Sequence, residues 1–274
     1  MVMQYRTLGR TNLQVSAVGM GTWKSFDVRG PQAIDHVQAL VTEALQCGVN
    51  LFDTAPMYGE AERVLGLTLK GRRDKAIIAT KVLMHDQRSA RAQIEESFRK
   101  LQVEVIDLMQ IHNMAGWQTV TPVLEDYKAK GRIRFLGITD YRTSMFSEMM
   151  RAMRTGAFDT IQIPYNLGDR EAEREILPLA KQLNLGVLVM TPICPIFDRN
   201  RLLRVLQRQD LSFLYPYGVT TPGQALLKYL LANSIVSTLI PATSRIERVK
   251  ENTEITDRPT LPNDVIQRLE GVIQ

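Results

Sequence analysis

The sequence predicts an α/β protein: a single (β/α)8 TIM barrel spanning residues 1–274, with an N-terminal β-hairpin and an extra C-terminal helix. Three observations carry this. Short apolar, β-prone runs alternate with amphipathic runs of helical period from Val15 almost to the end, the pattern of βα units around a parallel sheet. The β-prone runs number eight in one unbroken series, which suits a closed barrel better than an open sheet. A chain of 274 residues, 45% hydrophobic and 23% charged, can bury one large core without dividing into two domains.

The strands are expected at Ala17–Gly19, Asn50–Asp53, Ala76–Lys81, Ile106–His112, Phe135–Thr139, Thr160–Pro164, Gly186–Met190 and Ser237–Pro241. Ahead of them, Tyr5–Leu8 and Leu13–Val15 flank Gly9-Arg10-Thr11-Asn12, a hairpin turn that could plug one end of the barrel. Helices are expected at Pro31–Gln46, Arg88–Leu101, Pro122–Lys130, Ser144–Arg154 and Glu173–Leu183, several followed by a glycine suited to ending a helix. Thr191–Thr221, with Pro192, Pro195 and Pro216 around an Arg-rich helical run, is too long for an ordinary connection and reads as a functional loop beyond the seventh strand. The tail offers one more helix, Asn263–Ile273.

Lys and Arg exceed Asp and Glu by 34 to 29, a formal charge of +5. The basic residues are scattered. Their densest groups, Lys70–Lys75 and Arg199–Arg208, lack interleaved stacking aromatics, so they read as solvated faces and no nucleic-acid partner is expected. Two cysteines, Cys47 and Cys194, are too few for a disulfide scaffold, and a reducing cytoplasm is the default. The first residues lack the pattern of a secretory signal, and no run of about 18 apolar residues suggests a membrane span. A monomer or weak homo-oligomer is expected.

Active sites of such barrels are built on the C-terminal ends of the strands. The second run ends in Asp53 and leads into Thr-Ala-Pro-Met-Tyr58-Gly, the third ends in Lys81 and the fourth in His112. Taken singly, each has a bland reading: a helix cap, a turn aromatic, a snorkelling lysine, a structural histidine. Together they describe a phenol that donates a proton, a cation that makes it more acidic, a carboxylate that holds the cation, and an imidazole beside the substrate. A free tyrosine has a pKa of about 10, and an adjacent ammonium lowers it.

The segments YRTLGRTNLQVSAVGMGTW, NLFDTAPMYGEAERVLG, IIATKV, VIDLMQIHN, KGRIRFLGITDY, IQIPYN and LIPATSRIERVKEN give the chain a close resemblance, over nearly its whole length, to the aldo-keto reductase superfamily. That resemblance implies that Asp53, Tyr58, Lys81 and His112 are the catalytic tetrad, with none substituted. It implies NADPH as cofactor, with NADH as the second option, and a small carbonyl compound as substrate. Gly21, Thr22 and Trp23 match the loop near the nicotinamide ribose. Asp53 joins them, Thr139 and Asp140 match a Ser-Asn pair that binds the carboxamide, and Gln162 matches its partner. Thr191, Pro192 and Ile193 match the pyrophosphate region; Thr243, Ser244, Arg248, Glu251 and Asn252 match the adenosine and 2′-phosphate end. Met190, Ile240 and Ala242 complete the implied cofactor set. Gly19-Met20-Gly21 is not a dinucleotide-binding GxGxxG, because Lys24 stands at the third glycine.

Three departures bear on that match. Asp140 replaces an asparagine, so a carboxylate that only accepts hydrogen bonds stands where an amide could also donate. Met190 replaces the aromatic ring that many members stack on the nicotinamide. Ala242 replaces the lysine of many NADPH-specific members, leaving Arg248 as the best 2′-phosphate ligand. Trp23, Tyr58, Leu83, His85, His112 and Trp117 are expected to border the substrate. Alternatives are an NAD(P)+-dependent sugar or alcohol dehydrogenase on the same site, and a nicotinamide-binding regulatory subunit, which would not need a proton donor. No metal is expected: three histidines, His36, His85 and His112, without an HxH pair do not readily assemble a hydrolase centre.

Overall fold

Tyr5–Thr7 (β1) and Gln14–Ser16 (β2) pair antiparallel with Tyr5 opposite Ser16, and the hairpin they form closes the bottom of the barrel. Gly9 at its tip has φ +51° and passes so near the start of a barrel strand that a Cβ there would lie 2.2 Å from the Gly186 nitrogen, which only glycine tolerates. Leu8 and Val15 are fully buried and pack with Leu51, Ala79, Leu108, Leu188 and Ile240. The hairpin is therefore the plug the sequence suggested. The computed structural model describes residues 2–193 and 200–273; Cys194 and Pro195 lie outside the described residues.

The barrel strands are Met20–Gly21 (β3), Leu51–Asp53 (β4), Ile77–Val82 (β5), Ile106–His112 (β6), Ile133–Thr139 (β7), Thr160–Pro164 (β8), Gly186–Met190 (β9) and Thr238–Leu239 (β10). All pair parallel in sequence order. The seam between first and last is bridged at Val18–Leu239 and Gly21–Ala242. Gly19 donates to the Leu239 carbonyl at 2.7 Å and Leu239 to that of Ala17 at 3.0 Å. The first strand thus sits slightly later than the expected Ala17–Gly19, whose residues instead serve the seam.

Helices lie between the strands: Pro31–Gln46 (α1), Ala61–Thr68 (α2), Gln87–Leu101 (α3), Trp117–Ala129 (α4), Phe146–Met153 (α5) and Ile176–Gln182 (α6). After β9 come Arg201–Leu206 (α7) and Pro222–Leu231 (α8), and after β10 come Ile246–Glu254 (α9) and Asn263–Gly271 (α10). Helix α4 begins at Trp117, before the expected Pro122, which lies inside it. Proline is most at home in a first turn, but here the Thr121 hydroxyl donates back to the Trp117 carbonyl at 2.5 Å, so the earlier turn still forms. The α3 start is fixed by Asp86, whose side chain accepts from the Ser89 amide, an N-cap.

Side chains alternate across each strand. Outward residues such as Phe52, Ile78, Met109, Ile138 and Val187 join the large core against the helices. Inward residues form the plug-facing apolar layer low in the barrel and a polar layer at its top.

Candidate active site

The polar layer follows from register. Asp53 pairs with Ala79, Lys81 with Gln110, His112 with Thr139, and Thr139 with Gln162, so period-2 alternation aims these polar side chains into the same end of the barrel. Tyr58 arrives on the loop after β4. Its amide donates to the Ala55 carbonyl at 3.0 Å, and Ala61 donates back to Tyr58 at 3.1 Å. Asp27, which sequence reasoning passed over, braces this loop: its carboxylate accepts from the Glu60 amide at 3.0 Å. Gly59 (φ +61°) passes so close to it that a Cβ would lie 2.2 Å from Oδ1.

Lys81 Nζ donates to Asp53 Oδ2 at 2.7 Å and to the Thr54 carbonyl at 2.8 Å. The two side chains are 1% and 3% exposed. Gln110 and Gln162 each donate an amide hydrogen to Asp53, at 3.2 and 3.3 Å, so the carboxylate faces donors on all sides. Lys81 Nζ lies 5.1 Å from the Tyr58 ring centroid, and the Tyr58 and His112 rings meet edge to face at 6.2 Å.

Burial alone would discharge Lys81, but Asp53 and Tyr58 together outweigh it and hold its pKa above the ordinary lysine value. Burial also dominates at Tyr58 and pushes the phenol up; Lys81 pulls it down and Asp53 pushes it further up. The lysine therefore acts in the direction expected from sequence, yet the net shift is upward. His112 falls to about 3, through burial first and Lys81 second, so its imidazole is neutral near pH 7.

A cavity of about 530 Å³ opens over these groups, with Tyr58, Lys81, His112 and Asp53 in its wall. Of the expected cofactor residues, Gly21, Thr22 and Trp23 line one side. Thr139, Gln162 and Met190 line the floor, Thr191, Pro192 and Ile193 continue the wall, and Ile240 and Ala242 close it. Asn113, Tyr141, Asn200, Leu203 and Pro241 also line it and were missed. Strand alternation carried two residues past Thr139 would have found Tyr141; Asn200 and Leu203 come from the long connection, where Leu203 lies on α7 and a helical run alone does not say that it folds over the barrel mouth.

Other expected residues lie outside this cavity. Asp140 is fully buried but turns away: both carboxylate oxygens accept from Arg142, at 2.9 and 2.8 Å. A carboxylate cannot donate, and a neighbouring guanidinium offers it a bidentate partner. Trp117 donates its indole N–H to Glu148 at 2.6 Å and packs against Phe158. Leu83 and His85 are likewise not in the wall; Leu83 donates its amide to Gln93. Thr243 and Ser244 follow Ala242 toward α9, which carries Arg248, Glu251 and Asn252. There the Ser244 carbonyl meets His36 Nε2 at 2.6 Å, Arg248 pairs with Glu251, Thr221 donates to Glu251 at 2.6 Å, and Asn252 is buried. Among the described residues, no cluster of three His, Cys, Asp or Glu side chains could hold a metal ion. No helix among them is long and apolar enough to cross a membrane.

Known proteins share this architecture. An aldo-keto reductase from Klebsiella pneumoniae, solved in complex with NADPH, superposes with a TM-score of 0.84 at 26% identity, over 99% of this chain and 95% of that one. The holo form of an aldo-keto reductase from Bacillus halodurans gives 0.79 at 26% identity, over 99% and 96%. L-galactose dehydrogenase of Arabidopsis thaliana is 28% identical over 99% of this chain and 95% of its own length. The NADH-specific methylglyoxal reductase of Escherichia coli is 28% identical over 89% and 91%. The model of the aldo/keto reductase family matches residues 17–274, everything after the plugging hairpin, and the chain belongs to that family.

Proposed function

We propose that this protein reduces an aldehyde or ketone to an alcohol using NADPH, with Tyr58 as general acid. The observation that carries the reading is the buried Lys81–Asp53 pair set against Tyr58 and a neutral His112 in one cavity. The cavity's unspent hydrogen-bonding capacity fits the cofactor. Thr22 Oγ1, Thr139 Oγ1 and Gln162 Oε1 are buried without a partner, an unusual state for polar atoms and a suitable set for a ribose hydroxyl and a carboxamide. Met190 would lie against the nicotinamide face, and Arg248 would take the 2′-phosphate.

When bound, the reduced nicotinamide supplies a hydride to the carbonyl carbon. The raised pKa of Tyr58 keeps the phenol protonated in the neutral range, so the proton is available as negative charge builds on the carbonyl oxygen. Lys81, kept charged by Asp53, stabilises the phenolate that remains. His112, neutral, offers an N–H to the same oxygen without contributing a charge of its own.

A specific observation favours NADH as a second reading: Ala242 brings no cation, and Arg248 is engaged by Glu251. The same residues also serve alcohol oxidation in reverse, the direction named for the Arabidopsis relative. Fluorescence titration with NADPH and NADH measures the preference. In the Tyr58→Phe protein, cofactor affinity is expected to stay near the wild-type value while carbonyl reduction falls by about 10² to 10⁴. A Tyr58→Phe protein that retains full activity sinks the mechanism.

A further inference from the structure

Glu62 is a buried carboxyl with no part in the chemistry above. It is 1% exposed and stands in the first turn of α2, immediately beyond the loop that carries Tyr58. Thr80, the neighbour of Lys81 on β5, donates its hydroxyl to Glu62 Oε1 at 2.7 Å. Along the strand Lys81 points into the barrel and Thr80 points out, so this bond grips the catalytic strand from behind. Oε2 is buried without a well-formed hydrogen bond, but the buried Ser97 hydroxyl of α3 stands near enough to act on the carboxyl. Helix α2 seats flush on the end of α3: a Cβ on Gly66 would lie 2.6 Å from the Leu101 and Lys100 carbonyl oxygens.

We infer that Glu62 is a positioning residue for the proton-donating pair, fixing the helix that follows Tyr58 against the strand that carries Lys81. Apolar neighbours such as Val64 and Leu65 hold α2 on the core without specifying direction. A buried carboxyl costs more than a leucine would, and what it adds is a directional bond to the residue beside Lys81. Burial raises its pKa, while Thr80 and Ser97, then Lys100 of α3 and Lys81 of β5, oppose the rise. The Tyr58–Lys81 separation on which proton donation depends is thus set from outside the barrel as well as within it.

This inference rests on the proposed role of Tyr58, so its test has an arm that needs neither cofactor nor turnover. With carbon-13 at tyrosine Cζ, the Tyr58 resonance is assigned by its loss in Tyr58→Phe. Glu62→Leu is expected to displace that resonance in the free protein. It should also lower kcat roughly ten- to a hundred-fold, the cost of ångström-scale misplacement, with KM and cofactor Kd within about twofold. Glu62→Gln, which still accepts from Thr80, should recover most of both. Thr80→Val, a gentler change should the leucine variant fail to fold, should move both readouts the same way by less. An unmoved resonance and unchanged kcat in Glu62→Leu overturn the inference, as does the same result in Thr80→Val if the leucine variant does not fold, or a glutamine variant no better than leucine. A wild-type protein that reduces no carbonyl compound would sink the functional reading, and the resonance would still decide the positioning.

Discussion

Lys81 and Asp53 share a 2.7 Å hydrogen bond with both side chains shut away from water, which makes Asp53 the counter-charge of the buried ammonium. A buried ion pair adds little net stability over an apolar pair, but removing one member strands the other. Asp53→Asn keeps the shape and removes the charge, leaving the Lys81 ammonium with amides and the Thr54 carbonyl. The expected loss of stability is about 3–5 kcal/mol, read from urea unfolding, with part recovered when Lys81→Met is added. An Asp53→Asn protein as stable as wild type would mean that Lys81 sheds its proton at no cost.

His112 makes acid stability asymmetric. Its folded pKa, about 3, lies below the ordinary 6.5. Above about pH 6.5 neither state holds the proton. Between that value and about 3 the unfolded chain binds it and the native imidazole does not, so stability falls as pH drops through this window. His112→Gln should flatten that part of the profile in urea unfolding at about pH 7 and about pH 5. Equal slopes in the two proteins would show that the native imidazole protonates freely.

The barrel was legible because parallel strands buried on both faces read as apolar runs, and the meeting of Asp53, Lys81 and His112 because a polar residue closing such a run must emerge at the barrel mouth. What escaped depends on side-chain direction or distant packing. Asp140 was read by position alone, whereas its orientation is decided by Arg142 two residues on. Trp117 was placed at the pocket, but its N–H is claimed by Glu148 on another helix. The upward shift at Tyr58 reflects burial that no local pattern encodes, and Asp27 reaches the Tyr58 loop from the preceding connection.

Lys228 carries the same signature at alkaline pH. It is 4% exposed and donates to the Ile255 and Arg258 carbonyls at 2.6 and 2.8 Å. Burial, then Arg6 and Arg258, brings its pKa down to about 8 from 10.5. Between those values the unfolded chain binds more protons, so this residue makes stability rise with pH across that window. Tyr165 and Tyr229, both pushed up by burial, act in the other sense where free tyrosines ionise, so a difference measurement is required. Lys228→Met loses both carbonyl contacts but also the cost of the buried charge; it should therefore be more destabilising at about pH 10 than at about pH 7. A penalty independent of pH would show that the amine titrates normally.

Ala242 lines the cavity where the chain leaves the barrel toward α9, and Arg248 beyond it is already paired with Glu251. If the 2′-phosphate of NADPH is held here, a second cation should be felt strongly by NADPH and hardly at all by NADH. Ala242→Lys is expected to tighten NADPH by roughly five- to tenfold, the worth of about 1 kcal/mol for a partly exposed charged contact, and to leave NADH within about twofold. The gain should shrink as salt is added, because exposed charges are screened. Fluorescence titration of both cofactors at low and high salt reads all three expectations. Equal tightening of both would locate the new ammonium on the shared pyrophosphate, and no change in either would remove position 242 from the cofactor path.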